Sequence, residues 1–322
     1  DPPEPDLRLW YRRPAAVWND ALPVGNGRLG AMVYGGIEDE TIQLNESTVW
    51  TGGPYDPANP EALAALSEVR RLILAGRYRE AQQLFGRKMM ARPPNQQKYQ
   101  PLGDLRIRMR GIGRLSDQNR QLLGYRRDLD LDSAVASTHF RIGGVLYSRE
   151  VFATAVSQAI VVRLTADRPA SLSFDVGLMG RRNELPMDDT YARLTEVDGK
   201  PVASPDDGRF RVEALGSDTL VLRGRTATYL GIEGRVEYEA RARVINEGGR
   251  IAFEGGEISV SGATAATIVI TAATNFRDFG DLGADPTGQA EAALAVCAGK
   301  SYTEMRASHV AEHRRFFRRA EL

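Results

Sequence analysis

Most of the chain falls into short segments in which apolar and polar side chains alternate. Leu172–Leu178 places apolar residues at every second position, and Val236–Val244 repeats the pattern. Because successive side chains of a β-strand point to opposite faces of a sheet, each segment has one buried and one solvated face. Glycine pairs such as Gly143-Gly144 and Gly248-Gly249 mark turns between segments. Many short strands with few intervening helices predict a mainly β fold, namely a large antiparallel β-sandwich.

Helical periodicity first interrupts the strands near residue 60. Asn59-Pro60 predicts a helix start, because asparagine caps helices and proline fits the first turn. Apolar residues then recur at helical spacing, as Leu63, Leu66, Val69 and Ile73 in one helix and Ala81, Leu84, Phe85 and Met89 in a second. We therefore predict an αα-hairpin at about residues 60–91, inserted into the sandwich.

A second helical region follows Gly280. Two helices are predicted, at about 287–298 and 301–322, and the last opens with Ser301 and Glu304 at the spacing of a capping box. Its side chains Met305, His309, Phe316 and Phe317 have no evident partner within the sandwich. We expect this helix to leave an apolar face uncovered.

Charge and cysteine content exclude several classes of function. Lys+Arg and Asp+Glu both number 42, so the formal net charge is zero and nucleic-acid binding is not expected. Cys297 is the only cysteine, which excludes an intrachain disulfide and a cysteine-rich zinc site. His309 and His313 lie one helical turn apart, but with three histidines in the chain we interpret them as a solvated helix face. No metal and no cofactor are expected.

The chain also gives no sign of a membrane span, because it has no apolar run of about 18 residues. It begins at Asp1, without methionine, in a proline-rich stretch. Such a start suits a mature secreted protein whose signal has been removed, or a trimmed chain. We expect a secreted or periplasmic protein.

The stretch Gly25–Gly30 matches the G-x-G-x-x-G pattern of dinucleotide-binding sites. That motif requires a strand before it and a helix opening at it. Here Pro23 precedes the motif, and Gly35-Gly36 ends the short apolar run that follows. The context therefore excludes a helix and, with it, dinucleotide binding.

Acidic residues are too numerous for any one pair to indicate catalysis. A glycosidase needs two carboxyl groups, one acting as acid and one as base or nucleophile. Asp128, Asp130 and Asp132 share one face of a predicted strand. We interpret that face as solvated.

The segment from Trp18 to Tyr55 concentrates residue types that hold sugars. The candidates are Trp18, Asn26, Arg28, Asn45, Glu46, Trp50 and Tyr55. Aromatic faces together with amide and carboxylate groups suit sugars, which offer both apolar faces and hydroxyls. Alternatively, the tryptophans belong to the core and the polar groups support loops. We treat the seven as candidate substrate-entrance or interdomain residues.

Long motifs in chain order resemble the N-terminal domain of glycoside hydrolase family 95. They are Trp18–Val33, Gln43–Pro54, Tyr99–Leu105, Tyr147–Ala153, Gly231–Gly234, Ala272–Phe276 and the ending from Ser301 to Phe317. Members of that family are mainly α-L-fucosidases, and some act on α-L-galactosides. The resemblance implies a β-sandwich, a helical linker, a catalytic (α/α)6 barrel and a C-terminal β domain, with hydrolysis by inversion.

The resemblance also implies that this chain alone is inactive, because the family's catalytic carboxylates belong to the barrel and no position here corresponds to them. We expect a sandwich domain at 1–280 and a helical linker at 281–322, truncated before the barrel. The expected partners are that barrel, within the same polypeptide, and a fucosylated glycan as substrate of the full-length enzyme. The alternatives are an autonomous carbohydrate-binding module, a pure interdomain scaffold, or the same domain of an α-L-galactosidase.

Overall fold

The computed structural model describes residues 7–112, 122–180, 196–197, 200–201 and 210–319. Its strands are β1 (Arg8–Tyr11), β2 (Leu22–Gly25), β3 (Leu29–Val33), β4 (Asp39–Glu46), β5 (Gly103–Met109), β6 (Leu123–Asp130), β7 (Val135–Ile142), β8 (Val145–Thr154), β9 (Ala159–Ala166), β10 (Leu172–Met179), β11 (Glu196–Val197), β12 (Lys200–Pro201), β13 (Phe210–Leu215), β14 (Thr219–Arg225), β15 (Glu237–Glu247), β16 (Arg250–Glu254), β17 (Glu257–Ala263) and β18 (Ala265–Thr274). Its helices are α1 (Ala62–Leu74), α2 (Tyr78–Lys88), α3 (Pro286–Cys297) and α4 (Tyr302–Phe317).

Two antiparallel sheets form the body of the protein. One has nine strands in the order β1-β6-β7-β8-β9-β18-β15-β14-β13, and the other has seven in the order β16-β17-β10-β5-β4-β3-β2. Strands β11 and β12 pair with each other as a separate ribbon. Side chains from both large sheets meet in one hydrophobic core. The predicted β-sandwich, with its helical hairpin and C-terminal helices, is confirmed.

The alternation of the sequence sets which side chains enter this core. On β10, Leu172, Phe174 and Val176 are buried, while the intervening Ser173 and Asp175 are partly exposed. Strand β18 departs from the pattern, since all ten of its residues are buried. One of its faces meets the core and the other lies under α3.

The expectation that the aspartate face of β6 is solvated is wrong at Asp128. Asp128 is buried, and its carboxylate lies 3.2 Å from the guanidinium groups of both Arg8 and Arg126. The reason is that β1 pairs alongside β6 and brings Arg8 over that face. Asp130 remains partly exposed. The acidic face is therefore neutralised by arginines and is not simply solvated.

The αα-hairpin packs mainly on itself. Val69 and Leu72 of α1 and Ala81 of α2 form a small separate cluster. The predicted apolar stripe is wrong at Leu63 and Ile73, which are 82% and 46% exposed. Because the two helices contact each other along one narrow seam, much of their apolar surface stays uncovered.

Helices α3 and α4 cover the outer face of the nine-stranded sheet. Ser301 and Glu304 form the predicted capping box. Met305 and His309 of α4 are buried against the sheet, contrary to the expectation that the helix lacks a partner there. The His309 ring stacks on Phe152 at 4.6 Å between centroids. Only the far end of the predicted apolar face stays open, where Phe316 is 53% exposed.

Acidification should weaken the docking of α4. Burial lowers the pKa of His309 below 6.5, and the charges of His313 and Arg306 act in the same direction. A base whose pKa is lower in the folded state contributes stability above its unfolded pKa, and that stability is lost as the pH falls through the folded value. Thermal unfolding at pH 7.5 and 5.5 should therefore show a smaller acid-induced loss for His309→Phe, which keeps the ring stacking.

The matched control for that experiment is Met305→Leu, which alters another buried side chain of α4 and no titratable group. It should keep the pH dependence of the unmodified chain. An unchanged pH dependence in His309→Phe would show that His309 does not couple helix docking to pH.

Candidate functional site

Gly25–Gly30 forms a hairpin turn. Strands β2 and β3 pair antiparallel across it, so no helix opens there. Asn26 Oδ1 accepts hydrogen bonds from the backbone N–H groups of Arg28 and Leu29 at 3.1 and 2.7 Å. Asn26 Nδ2 donates to the Thr154 carbonyl at 2.9 Å, on the opposite sheet. Asn26 therefore holds the turn and ties the two sheets together.

Arg28 and Glu46 form an ion pair next to this turn. Arg28 Nη1 lies 3.6 Å from Glu46 Oε1 and donates to the Ala272 carbonyl at 2.6 Å. Its Nε donates to Gln158 at 3.0 Å. Glu46 is only 2% exposed, and its Oε2 accepts from the backbone N–H and the hydroxyl of Thr48 at 2.7 and 2.6 Å. These contacts direct the Glu46 carboxylate toward the protein interior.

Trp50 and Tyr55 line a cleft of about 530 Å³. Phe276 and Phe279, from the segment after β18, supply two more aromatic side chains to its wall. The polar side chains that line it are hydroxyls and amides, from Ser47, Thr48, Thr51, Gln96 and Gln97. The structure therefore brings two of the seven predicted residues, Trp50 and Tyr55, into one cleft with Phe276 and Phe279, which lie just before α3 in the chain.

The other predicted residues take different positions. Glu46 supports the cleft through Thr48, whose hydroxyl lies 2.5 Å from that of Thr274. Trp18 is 53% exposed in a 3-10 turn, and Asn45 lies on β4 opposite Gly30. Neither Trp18 nor Asn45 lines the cleft.

A glycine forms part of the cleft wall for a steric reason. Gly52 has a φ of +73°, and a Cβ there would lie 2.5 Å from Gln97 Oε1. That oxygen accepts from the Thr51 hydroxyl at 3.2 Å, which in turn accepts from the backbone N–H of Lys98 at 2.8 Å. The left-handed backbone favours glycine, and any larger residue would also require the Gln97 side chain to move.

Tyr99 fixes the orientation of Trp50. The two rings meet edge to face at 5.5 Å, and the Tyr99 hydroxyl donates to the Glu46 carbonyl at 3.1 Å. Burial, helped by the nearby Glu46 charge, raises the pKa of Tyr99 to about 12. The hydroxyl therefore remains a donor at neutral pH.

Reasoning from the sequence missed several of these residues. Tyr99 and Phe276 lie within motifs that carry the family resemblance, which was the available signal for them. Phe279 and the amides of Gln96 and Gln97 had no such signal, because nothing in their local pattern places them beside Trp50.

The chemistry available in the cleft is binding chemistry. Among the described residues that line it, none carries a carboxylate, an amine, a guanidinium or an imidazole. Nor do the described ranges contain a group of three His, Cys, Asp or Glu side chains that could hold a metal ion. In the same ranges no helix has the length and apolar character to cross a membrane.

Comparison with known proteins identifies the family to which this sandwich belongs. The family model described as glycosyl hydrolase family 65, N-terminal domain, matches residues 9–278. The chain belongs to this family. The match covers the sandwich from β1 to the segment after β18 and includes most of the residues that line the cleft.

Curated relatives of this N-terminal domain are named as fucosidases. Alpha-L-fucosidase 2 of Arabidopsis thaliana is 42% identical over 170 residues, 53% of this chain and 19% of the relative. Probable alpha-fucosidase A of Aspergillus niger is 35% identical over 179 residues, 50% of this chain and 21% of the relative. The matches thus span about a fifth of each relative. The predicted resemblance to the N-terminal domain of α-L-fucosidases is confirmed.

A solved structure shows the same fold. A putative kojibiose phosphorylase from the human microbiome superposes with a TM-score of 0.52 and 11% sequence identity. The superposition covers 97% of this chain and 37% of that protein. At this identity, the likeness concerns the fold alone.

Proposed function

We propose that this chain is the non-catalytic N-terminal domain of an exo-acting α-L-fucosidase that hydrolyses fucosylated glycans with inversion. The observation that carries the proposal is the similarity to two proteins named as α-fucosidases, at 42% and 35% identity. Inversion uses an acid and a base on opposite faces of the sugar, about 6.5–9.5 Å apart. In this proposal a separate (α/α)6 barrel of the same polypeptide supplies both groups.

The contacts of Glu46, which supports the cleft through Thr48, agree with a non-catalytic role. Glu46 accepts two hydrogen bonds from Thr48 and is buried, so its carboxylate is engaged in holding the loop. A general acid or base needs to reach the proton that it transfers. Glu46 does not line the cleft, and the described cleft wall carries no carboxylate.

The αα-hairpin suits a scaffold role toward that barrel. Leu63, Leu74 and Tyr78 are large side chains on its surface with exposures of 82%, 89% and 68%. Apolar surface of this kind is a common feature of protein contact sites. We propose that the hairpin contacts the barrel.

A hydrolysis assay tests the non-catalytic role. The purified chain should release no more phenol from an aryl α-L-fucoside than a buffer blank does. A complete α-L-fucosidase assayed in parallel should release the phenol. Turnover that follows the chain through successive purification steps would overturn the proposal. Cleavage of an aryl α-L-galactoside alone would overturn the choice of fucoside as well as the inactivity.

A further inference from the structure

We propose that the cleft lined by Trp50, Tyr55, Phe276 and Phe279 is a carbohydrate-binding site for a neutral 6-deoxyhexose, the L-fucosyl unit of a glycan. The choice of L-fucose rests on the proposed function, whereas the existence of a sugar site rests on the cleft itself. Its volume of about 530 Å³ falls within the range of roughly 300–1,000 Å³ typical of small-molecule sites.

The aromatic platform is held rigid before any ligand arrives. Trp50 Nε1 donates to the Ser47 carbonyl at 3.0 Å, and the ring edge rests against Tyr99. The ring is nevertheless 37% exposed, which leaves part of its surface available. Because little side-chain freedom remains to be lost, binding to such a platform carries a small entropic cost.

Another part of the cleft wall comes from a turn whose phenylalanine is not part of the core. Phe279 is 89% exposed. The turn is fixed by paired backbone hydrogen bonds between Asp278 and Asp281 and by an Arg277–Asp281 ion pair at 3.2 Å. An exposed phenylalanine on a fixed turn, lining the same cleft as Trp50 and Tyr55, is better explained by a ligand than by the core.

The charge of the cleft indicates the class of ligand. Its described wall carries hydroxyls and amides and no formal charge. A second cleft, of about 370 Å³, is lined by Arg211, Arg223, Arg225, Glu237 and Glu239 and thus suits charged ligands instead. A neutral, aromatic-walled cleft with hydrogen-bonding groups matches a pyranose ring, which has apolar faces and an edge of hydroxyls.

The apolar part of the wall favours a 6-deoxy sugar over an ordinary hexose. Pro54, Pro57, Val236 and Leu282 extend the aromatic surface. A methyl group in place of a primary alcohol can bury against such a surface without leaving an unpaired hydroxyl. The hydroxyls of the sugar then face Ser47 and the exposed amide of Gln96.

The test is a titration of the full chain with L-fucose, in which binding is measured by saturation-transfer NMR and by tryptophan fluorescence. D-Glucuronate serves as the charged comparison. We expect saturable binding of L-fucose with a dissociation constant on the order of 1 mM and weaker binding of the uronate. Trp50→Ala should weaken binding about tenfold, and Phe279→Ala about threefold. Phe253→Ala, which removes an exposed phenylalanine on β16 outside the cleft, should leave binding unchanged.

If Trp50→Ala disturbs the loop that carries Trp50, Phe279→Ala still tests the site. The Phe279 side chain is almost fully exposed, so removing it should not disturb folding. Absence of saturable L-fucose binding overturns the site. An equal loss in Phe253→Ala and Phe279→Ala overturns it too, because binding would then not depend on the cleft. Neither result touches the proposed non-catalytic role, which is tested separately by the hydrolysis assay.

Discussion

Replacing Arg149 with methionine should destabilise the protein by about 3–5 kcal/mol at neutral pH, because it leaves a buried carboxylate without its counter-charge. Arg149 and Glu40 form an ion pair in which both side chains are almost wholly inaccessible. Arg149 Nη1 also donates to the Gly36 carbonyl at 3.0 Å. Glu40 accepts from the backbone N–H groups of Tyr34 and Gly35 at 3.1 and 2.9 Å. The pair joins β8 of one sheet to β4 of the other.

The pH dependence of that loss identifies its cause. Burial raises the pKa of Glu40, and the charge of Arg149 is the main influence that opposes the rise. Without Arg149 the pKa of Glu40 should therefore rise further. A carboxyl group whose folded pKa is raised contributes most below its unfolded value, and it loses that contribution as the pH increases through the folded value. The gap between Arg149→Met and the unmodified chain should thus be widest at pH 7.5 and narrower at pH 5.

Urea unfolding at the two pH values measures this gap. Arg108→Met is the matched control, because Arg108 pairs with Glu257 at 2.9 Å on a sheet surface where the arginine is exposed and the carboxylate is partly exposed. It should cost no more than about 1 kcal/mol. Glu40→Gln combined with Arg149→Met should be less destabilised than Arg149→Met alone. A gap that does not vary with pH would assign the loss to packing instead of charge.

The sequence predicted the sandwich because alternation directly reports which strand faces are buried. Alternation is absent where a third layer covers a strand, since β18 is buried on both faces beneath α3. The prediction failed on α4, whose Met305 and His309 pack against the outside of the sheet. Alternation describes one strand at a time and cannot show what lies above it.

The candidate site was predictable only in part, for a related reason. The segment 18–55 contains Trp50 and Tyr55, which do line the cleft. It also contains Asn26 and Glu46, whose side chains hold turns and loops. Composition cannot separate these roles, because the same amide or carboxylate serves a ligand or a backbone N–H. The outcome depends on which loops the sheets bring together, and Phe279 enters the cleft from more than 200 residues away.

Glu46→Gln should lower the stability of the chain by about 2 kcal/mol, chiefly because the carboxylate that accepts two partly buried hydrogen bonds at one oxygen becomes a neutral amide, which is a weaker acceptor. Thr48 donates both bonds, through its backbone N–H and its hydroxyl. The ion pair with Arg28 adds less, because the Arg28 side chain is about one-third exposed to solvent. Thermal and urea unfolding measure the loss, and Glu312→Gln, which alters a solvent-accessible ion pair on α4, should change stability far less.

The same variant separates a structural role for Glu46 from direct contact with a ligand. If Glu46 acts by holding the loop from Thr48 to Trp50, then unfolding stability and L-fucose binding should fall together. Thr48→Val, which removes the hydroxyl that joins Glu46 to Thr274, should then lower both stability and binding, but by less than Glu46→Gln. Thr48→Ser keeps a hydroxyl and should leave both close to those of the unmodified chain. Weaker sugar binding at unchanged stability would instead require the Glu46 carboxylate to touch the sugar, which its present burial and hydrogen bonds oppose.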